Sequence, residues 1–213
     1  MWFQRFWSFF GWLSIPLFAP DIEATLASAH GIVLDVGSGA GDWLYALSPR
    51  RNPNISKVIL LEPNAHFHAR LRLSAQENGL AGRYEIIGCR AKDPEHEGIQ
   101  LQTIDTIVTV HVLCSVPSPQ QVVGELYNFL KPVGRWLVYE HVRSNRAPAA
   151  AWQQIINSVW PFFLDGCSLT CETEKYLLSA GQWENVKLGN GSGEGYFNQL
   201  PHTVGSLTKS LSK

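Results

Sequence analysis

Charge is what this chain has little of. Only 16% of its 213 residues are charged, 17 basic against 18 acidic for a formal net charge of −1, and neither sign gathers into a block. Nucleic-acid binding rests on clustered Lys and Arg that displace counterions, so a nucleic-acid partner is excluded. Cysteine is scarce as well. Cys89, Cys114, Cys167 and Cys171 are too few and too irregularly spaced for a disulfide framework. Cys167-x3-Cys171 has no second ligand pair beside it, so the spacing predicts no metal, and the four are expected to be reduced intracellular thiols. No unbroken run of about 20 apolar residues is present either. Residues 1–20 come nearest, with Trp2, Trp7 and Trp12 and a single charge, but Gly11 and Pro16 interrupt them.

Two further absences narrow the nucleotide-like feature that the chain does contain. Asp42 stands where the dinucleotide fingerprint G-x-G-x-x-G has its third glycine, and no Lys-Ser or Lys-Thr follows Gly41. Neither a dinucleotide nor a triphosphate-hydrolysing loop is indicated. What is present is an apolar strand, Ile32-Val33-Leu34-Asp35-Val36, running into Gly37-Ser38-Gly39-Ala40-Gly41-Asp42. Gly37 and Gly39 let the backbone turn with no Cβ in the way, and a helix is expected over 41–48 with Asp42 in its first turn. A ligand can lie on bare backbone there. The next strand, Lys57 to Leu61, ends in Glu62-Pro63-Asn64. A carboxylate at that tip, about 20 residues past the glycines, is placed to accept hydrogen bonds from both ribose hydroxyls of an adenosine group.

Asp35-x-Gly37-x-Gly39-x-Gly41 followed by Glu62 resembles the cofactor site of class I S-adenosylmethionine-dependent methyltransferases. Within that class the chain is similar to a small methyltransferase-like group that includes membrane-associated alkyl-thiol S-methyltransferases. Val112-Leu113-Cys114-Ser115-Val116, Leu130-Lys131-Pro132-Val133-Gly134 and Glu140-His141-Val142 carry that likeness, with Trp152-Gln153-Gln154, Asp165 to Thr170 and Pro201-His202. Ser38, Val133 and His111 depart from it, standing where a Cys, a second Gly and an apolar residue are usual. The resemblance implies S-adenosylmethionine as cofactor, with Asp35, Gly37, Ser38, Gly39, Gly41, Glu62 and Pro63 holding it. It also implies Cys89, Arg90 and Asp93 around the adenine and His111 near the methyl group.

Hydrophobic period and turn residues predict the order of elements. Strands are expected at 31–36, 57–61, 83–87, 104–110, 133–140, 183–188 and 203–208. Helices are expected at 2–13, 21–29 with Asp21 as N-cap, 41–48, 64–78, 119–130, 148–164 and 172–180. That is an α/β, Rossmann-like doubly wound seven-stranded sheet of the class I methyltransferase kind, with an N-terminal aromatic helix and an inserted helix near the substrate site. Residues 1–20 form the aromatic segment and 21–213 the catalytic domain. Asn190 to Gly195 reads as a flexible connection.

In open α/β sheets ligands bind beyond the carboxyl ends of the strands, which selects the residues that follow each one. His111 ends the fourth strand and is the expected base, because a neutral imidazole can take the proton of an acceptor hydroxyl or thiol. His141, after the fifth strand, is the second catalytic candidate. His66-x-His68 reads as solvated. Trp152, Trp160, Phe162 and Phe163, with the N-terminal aromatics, would line an apolar pocket, so a small hydrophobic acceptor is expected, methylated at oxygen or sulfur. Two alternatives stay open: a non-methyl reaction such as cyclisation on the same cofactor site, and a non-catalytic membrane-bound binding protein. Residues 1–20 read as a lid over the substrate or as an interfacial helix, with a helix simply packed on the domain surface as the third reading. The expected location is cytoplasmic, with peripheral contact to an intracellular membrane.

Overall fold

Two residues in alternation decide the architecture: along each central strand one apolar side chain points up and the next points down. A computed structural model describes residues 17–89, 98–164, 166–196 and 198–211. Residues 17–26 are helical (α1). Then follow β1 (Gly31–Val36), β2 (Ile55–Leu61), α2 (Ala65–Glu77), β3 (Tyr84–Ile87), β4 (Ile104–Val110), α3 (Pro119–Phe129) and β5 (Leu130–His141). The remainder is α4 (Ala147–Ile156), α5 (Trp160–Phe163), α6 (Thr173–Ser179), β6 (Trp183–Asn190) and β7 (His202–Lys209). The seven strands lie in the order β3-β2-β1-β4-β5-β7-β6. β1 to β5 pair in parallel, and β7 runs antiparallel between β5 and β6.

On one face of the sheet Leu34, Ile107, Trp136 and Val138 pack against Val122, Leu126 and Phe129 of α3 and Leu177 of α6. On the other, Val33, Val58, Val108, Leu137 and Tyr139 pack against Ile22 and Leu26 of α1 and Leu71 and Ala75 of α2. Burying a side chain of this size is worth about 1.5–3 kcal/mol, so both layers hold the strand ends in place. The expected doubly wound seven-stranded sheet is therefore the observed fold.

Several boundaries differ, each for a local reason. The aromatic helix expected over 2–13 lies outside the described residues. Asp21 is not an N-cap: it sits inside α1, because the apolar stripe of Ile22 and Leu26 begins upstream of it at Phe18, and its carboxylate accepts from the Ser192 N–H at 2.6 Å. The helix expected over 41–48 is a series of tight turns whose N–H groups reach back three residues, Leu44 to Gly41, Ala46 to Trp43, Leu47 to Leu44 and Ser48 to Tyr45. Pro49 has no N–H to offer the Tyr45 carbonyl four residues earlier, and Asn52 Nδ2 donates to Ala46 O at 2.6 Å and so closes the segment.

The inserted helix expected over 148–164 is two helices, α4 and α5, because Pro161 cannot donate to Asn157. Its aromatic stripe faces outward: Phe162 is 84% exposed, and Trp152, Ile155, Val159 and Phe163 are exposed too. β5 begins three residues earlier than expected, and Val133 within it adopts φ +56°, the left-handed conformation a glycine takes without strain. The connection at 190–195 is tied down, since Glu194 Oε1 accepts from His202 N and Nδ1 at 2.8 and 2.7 Å.

Candidate functional site

The carboxyl ends of β1, β2, β4 and β5 lie side by side, and the turn after β1 is fastened to the end of β2. The N–H groups of Gly37 and Ser38 donate to Leu61 O at 2.8 and 3.1 Å. The Ser38 hydroxyl donates to Asp35 O at 3.1 Å. Glu62 is buried, and its two carboxylate oxygens accept from Gly39 N and Asn64 N, both at 2.8 Å. His68 Nε2 lies 2.7 Å from Glu62 O, so this histidine supports the strand tip and is not merely solvated. Burial raises the Asp35 carboxyl to about 6, helped by the charge of Glu62 and opposed by Ser38.

The glycines differ in what surrounds them. A Cβ at Gly37 (φ +70°) would run into the Val112 side chain, and one at Gly41 (φ +81°) would press on Ser74. At Gly39 (φ +55°) a Cβ would meet nothing nearer than Gly37 O at 4.0 Å. Open space over a bare backbone turn, with a carboxylate at its rim, fits an adenosine-bearing cofactor. Pro63 follows at the exposed edge. Cys89 packs among Leu61, Ile87 and Ile99 in the core. Arg90 and Asp93 lie outside the described residues.

The second half of the site is built on β4 and β5. His111 takes φ +54°, and its N–H donates to Tyr139 O at 2.9 Å. Its ring lies 5.1 Å from those of Tyr139 and His202 and 5.5 Å from that of Phe18. Burial, then the charges of His202 and His141, hold its pKa well below the ordinary histidine range, so the ring is neutral. Glu140 is fully buried and accepts from Val112 N and Leu113 N at 3.0 and 3.2 Å. Burial raises it to about 8, against the pull of those two N–H groups.

The structure places His141 next to Cys167, with Nε2 2.8 Å from Sγ. Trp160 Nε1 donates to the same sulfur at 3.4 Å. Cys114 completes the group, its ligand atom and those of His141 and Cys167 all lying within 4.8 Å of one another. Hydrogen bonding from Cys114, then from His141 and Trp160, lowers the Cys167 thiol, and the Cys114 thiol is correspondingly raised. Sequence reasoning weighed Cys167 with Cys171 and missed this set. Each of the three falls in a different motif that carries the family resemblance, but no fixed interval in the sequence joins them.

This strand order with its reversed seventh strand, together with the glycine turn and the strand-tip carboxylate, defines a class I S-adenosylmethionine-dependent methyltransferase. The chain belongs to the methyltransferase domain family, whose pattern matches residues 15–170. It is 32% identical over 173 residues to thiol S-methyltransferase TMT1B of Homo sapiens, covering 81% of this chain and 68% of that protein. It is 31% identical over 169 residues to the Rattus norvegicus TMT1B, covering 79% and 65%. The chain thus spans about two thirds of the length of these relatives. Among solved structures, the S-adenosylmethionine-dependent methyltransferase SibL in its apo form superposes with a TM-score of 0.67 at 21% identity, covering 92% of this chain and 56% of that one.

S-adenosylmethionine held at this turn would supply an activated methyl group on a sulfonium. Glu62 and the Gly37 to Gly41 backbone are the groups that would hold its nucleoside end, and Val112, packed against Gly37, brings the β4 end to the same place.

Proposed function

We propose that this enzyme methylates the sulfur of a small hydrophobic thiol. The observation that carries the reading is the name shared by its 31–32% identical relatives, thiol S-methyltransferase, set beside a cofactor turn whose glycines and Glu62 are intact here. Those names favour sulfur over oxygen, and methyl transfer over cyclisation. A thiol acceptor needs only a modest base, and His111, neutral and at the carboxyl end of β4, is the base we assign.

The exposed stripe of Trp152, Ile155, Val159, Phe162 and Phe163 on α4 and α5 supports a second element, peripheral contact with a membrane from which an apolar acceptor enters. Among the described residues no helix is long and apolar enough to cross a membrane. The aromatic residues 2–13 are assigned to the same contact or to a lid.

The test is direct. The purified protein is incubated with methyl-labelled cofactor and panels of alkyl thiols, phenols and carboxylic acids. Label on thioethers is the expected result, and label on phenols or carboxylates alone would overturn the sulfur assignment.

A further inference from the structure

Among the described residues, Cys114, His141 and Cys167 bring three ligand atoms within 4.8 Å of one another from three separate parts of the chain. Each is held by its own support. Cys114 lies just beyond the two N–H groups that Glu140 clamps. His141 closes β5 and is paired in register with His202 of β7. Cys167 is brought in by the Ser168 N–H, which donates to Cys114 O at 2.8 Å. The Trp160 indole N–H points at the Cys167 sulfur, the outer hydrogen bond that metal-bound thiolates commonly receive. His141 Nδ1 is buried with no partner in the protein, so the ring is only half satisfied. Cys171 takes no part: its sulfur accepts from Thr173 Oγ1 at 3.3 Å.

Two thiolates and one imidazole form a soft donor set that suits zinc, and three protein ligands leave the fourth tetrahedral position open. The set stands at the carboxyl ends of β4 and β5, two residues from Val112 and hence beside the cofactor turn.

We propose that Cys114, His141 and Cys167 bind a zinc ion whose open position receives the acceptor thiol as a thiolate. The metal site stands on the geometry above, and its role as acceptor site rests on the sulfur reading. On binding, the acceptor S–H bond breaks, its proton passes to the His111 imidazole and from there to solvent, and the sulfur electron pair is shared with zinc. That pair then forms the new sulfur–carbon bond. The electron pair of the broken carbon–sulfonium bond stays on the departing thioether.

The full chain, purified under reducing conditions without chelator, is assayed for zinc by elemental mass spectrometry and reconstituted with Co2+. One zinc per chain is expected, and the cobalt form should show thiolate charge-transfer absorption and strong visible bands of a tetrahedral site. Cys114→Ser, His141→Ala and Cys167→Ser should lose the metal, Cys171→Ser should keep it, and Trp160→Phe should weaken zinc binding about 10–100-fold. Removing zinc from the unmutated protein with a chelator and adding it back avoids variants that fail to fold. A small monothiol, added without cofactor, should shift the visible bands of the cobalt form.

Absence of both metals after reduction, metal retained by the Cys114 and Cys167 variants, or a Cys114–Cys167 disulfide that takes up no metal once reduced would each overturn the site. Undiminished thiol methylation by the chelated enzyme overturns the activation role and leaves the thiol methyltransferase reading standing. A zinc-bound protein that methylates no thiol overturns that reading and leaves the metal site standing.

Discussion

The N–H of Gly39 donates to Glu62 Oε2 at 2.8 Å, which locks the turn after β1 to the tip of β2 before any ligand arrives. The carboxylate that should bind the ribose hydroxyls is thus already oriented by the backbone it serves. Glu62→Ala is expected to weaken S-adenosylmethionine binding by about 1.5–3 kcal/mol, the scale for hydrogen bonds to a charged group, with Glu62→Gln intermediate. Titration calorimetry checks both, and unchanged affinity would remove Glu62 from the cofactor site.

Gly37 and Gly39 separate folding from binding. Gly39→Val should abolish cofactor binding with only a modest fall in melting temperature, since its side chain enters open space and the cost is the left-handed φ alone. Gly37→Val should lower the melting temperature much more, because Val112 occupies the space. Equal effects on stability from the two variants would contradict this account.

Asp35 gives the fold a pH dependence of known sign. Its carboxyl is raised from 3.8 to about 6 in the folded protein, so the native state holds the proton more tightly than the unfolded chain does. The stability this contributes is complete below about pH 4 and is lost as pH rises through about 6, up to about 3 kcal/mol in all. Asp35→Asn should therefore gain stability relative to the natural protein between pH 4 and 7, as read from urea midpoints. A constant difference across that range would show that Asp35 titrates normally.

His111 needs a substitution that respects its φ of +54°. Asn tolerates that conformation and has no basic nitrogen. His111→Asn should lower turnover about 10²–10⁴-fold with cofactor affinity unchanged, and the loss should shrink at higher pH as more of the acceptor thiol is ionised in solution. A loss independent of pH would point to hydrogen bonding, and full activity would leave His111 as a wall of the site.

Phe162 and Phe163 stand out from α5 and contribute little to the core. Replacing both by Ser should leave the melting temperature nearly unchanged while reducing sedimentation with phospholipid vesicles. Undiminished sedimentation would dismiss α5 as the membrane contact.

How far the sequence could be read depended on how local each signal was. β1, β4 and Glu62 were legible because a buried parallel strand is a short apolar run and the site residue is the one that ends it. The segment 41–48 was not, since Leu44, Ala46 and Leu47 suit a helix and a series of tight turns alike, and only Pro49 discriminates. Pro161 likewise marks the break between α4 and α5 inside an otherwise helical spacing. Burial of the α4 and α5 aromatics could not be judged from period at all, because a stripe facing solvent and one facing a pocket have the same spacing. Cys114, His141 and Cys167 were illegible as a group for another reason: no fixed interval joins them, and only the parallel pairing of β4 with β5 and the return of the chain through α5 make them neighbours.

β7 follows β6 along the chain yet lies between β5 and β6 in the sheet. It brings His202 against the rings of His111, Tyr139 and Phe18. During synthesis β6 has no strand to pair with until residues 202–209 leave the ribosome. A chain that has emerged only as far as β6 holds its glycine turn and Glu62 but lacks the His202 ring beside His111, so the two halves of the candidate site are completed at different times.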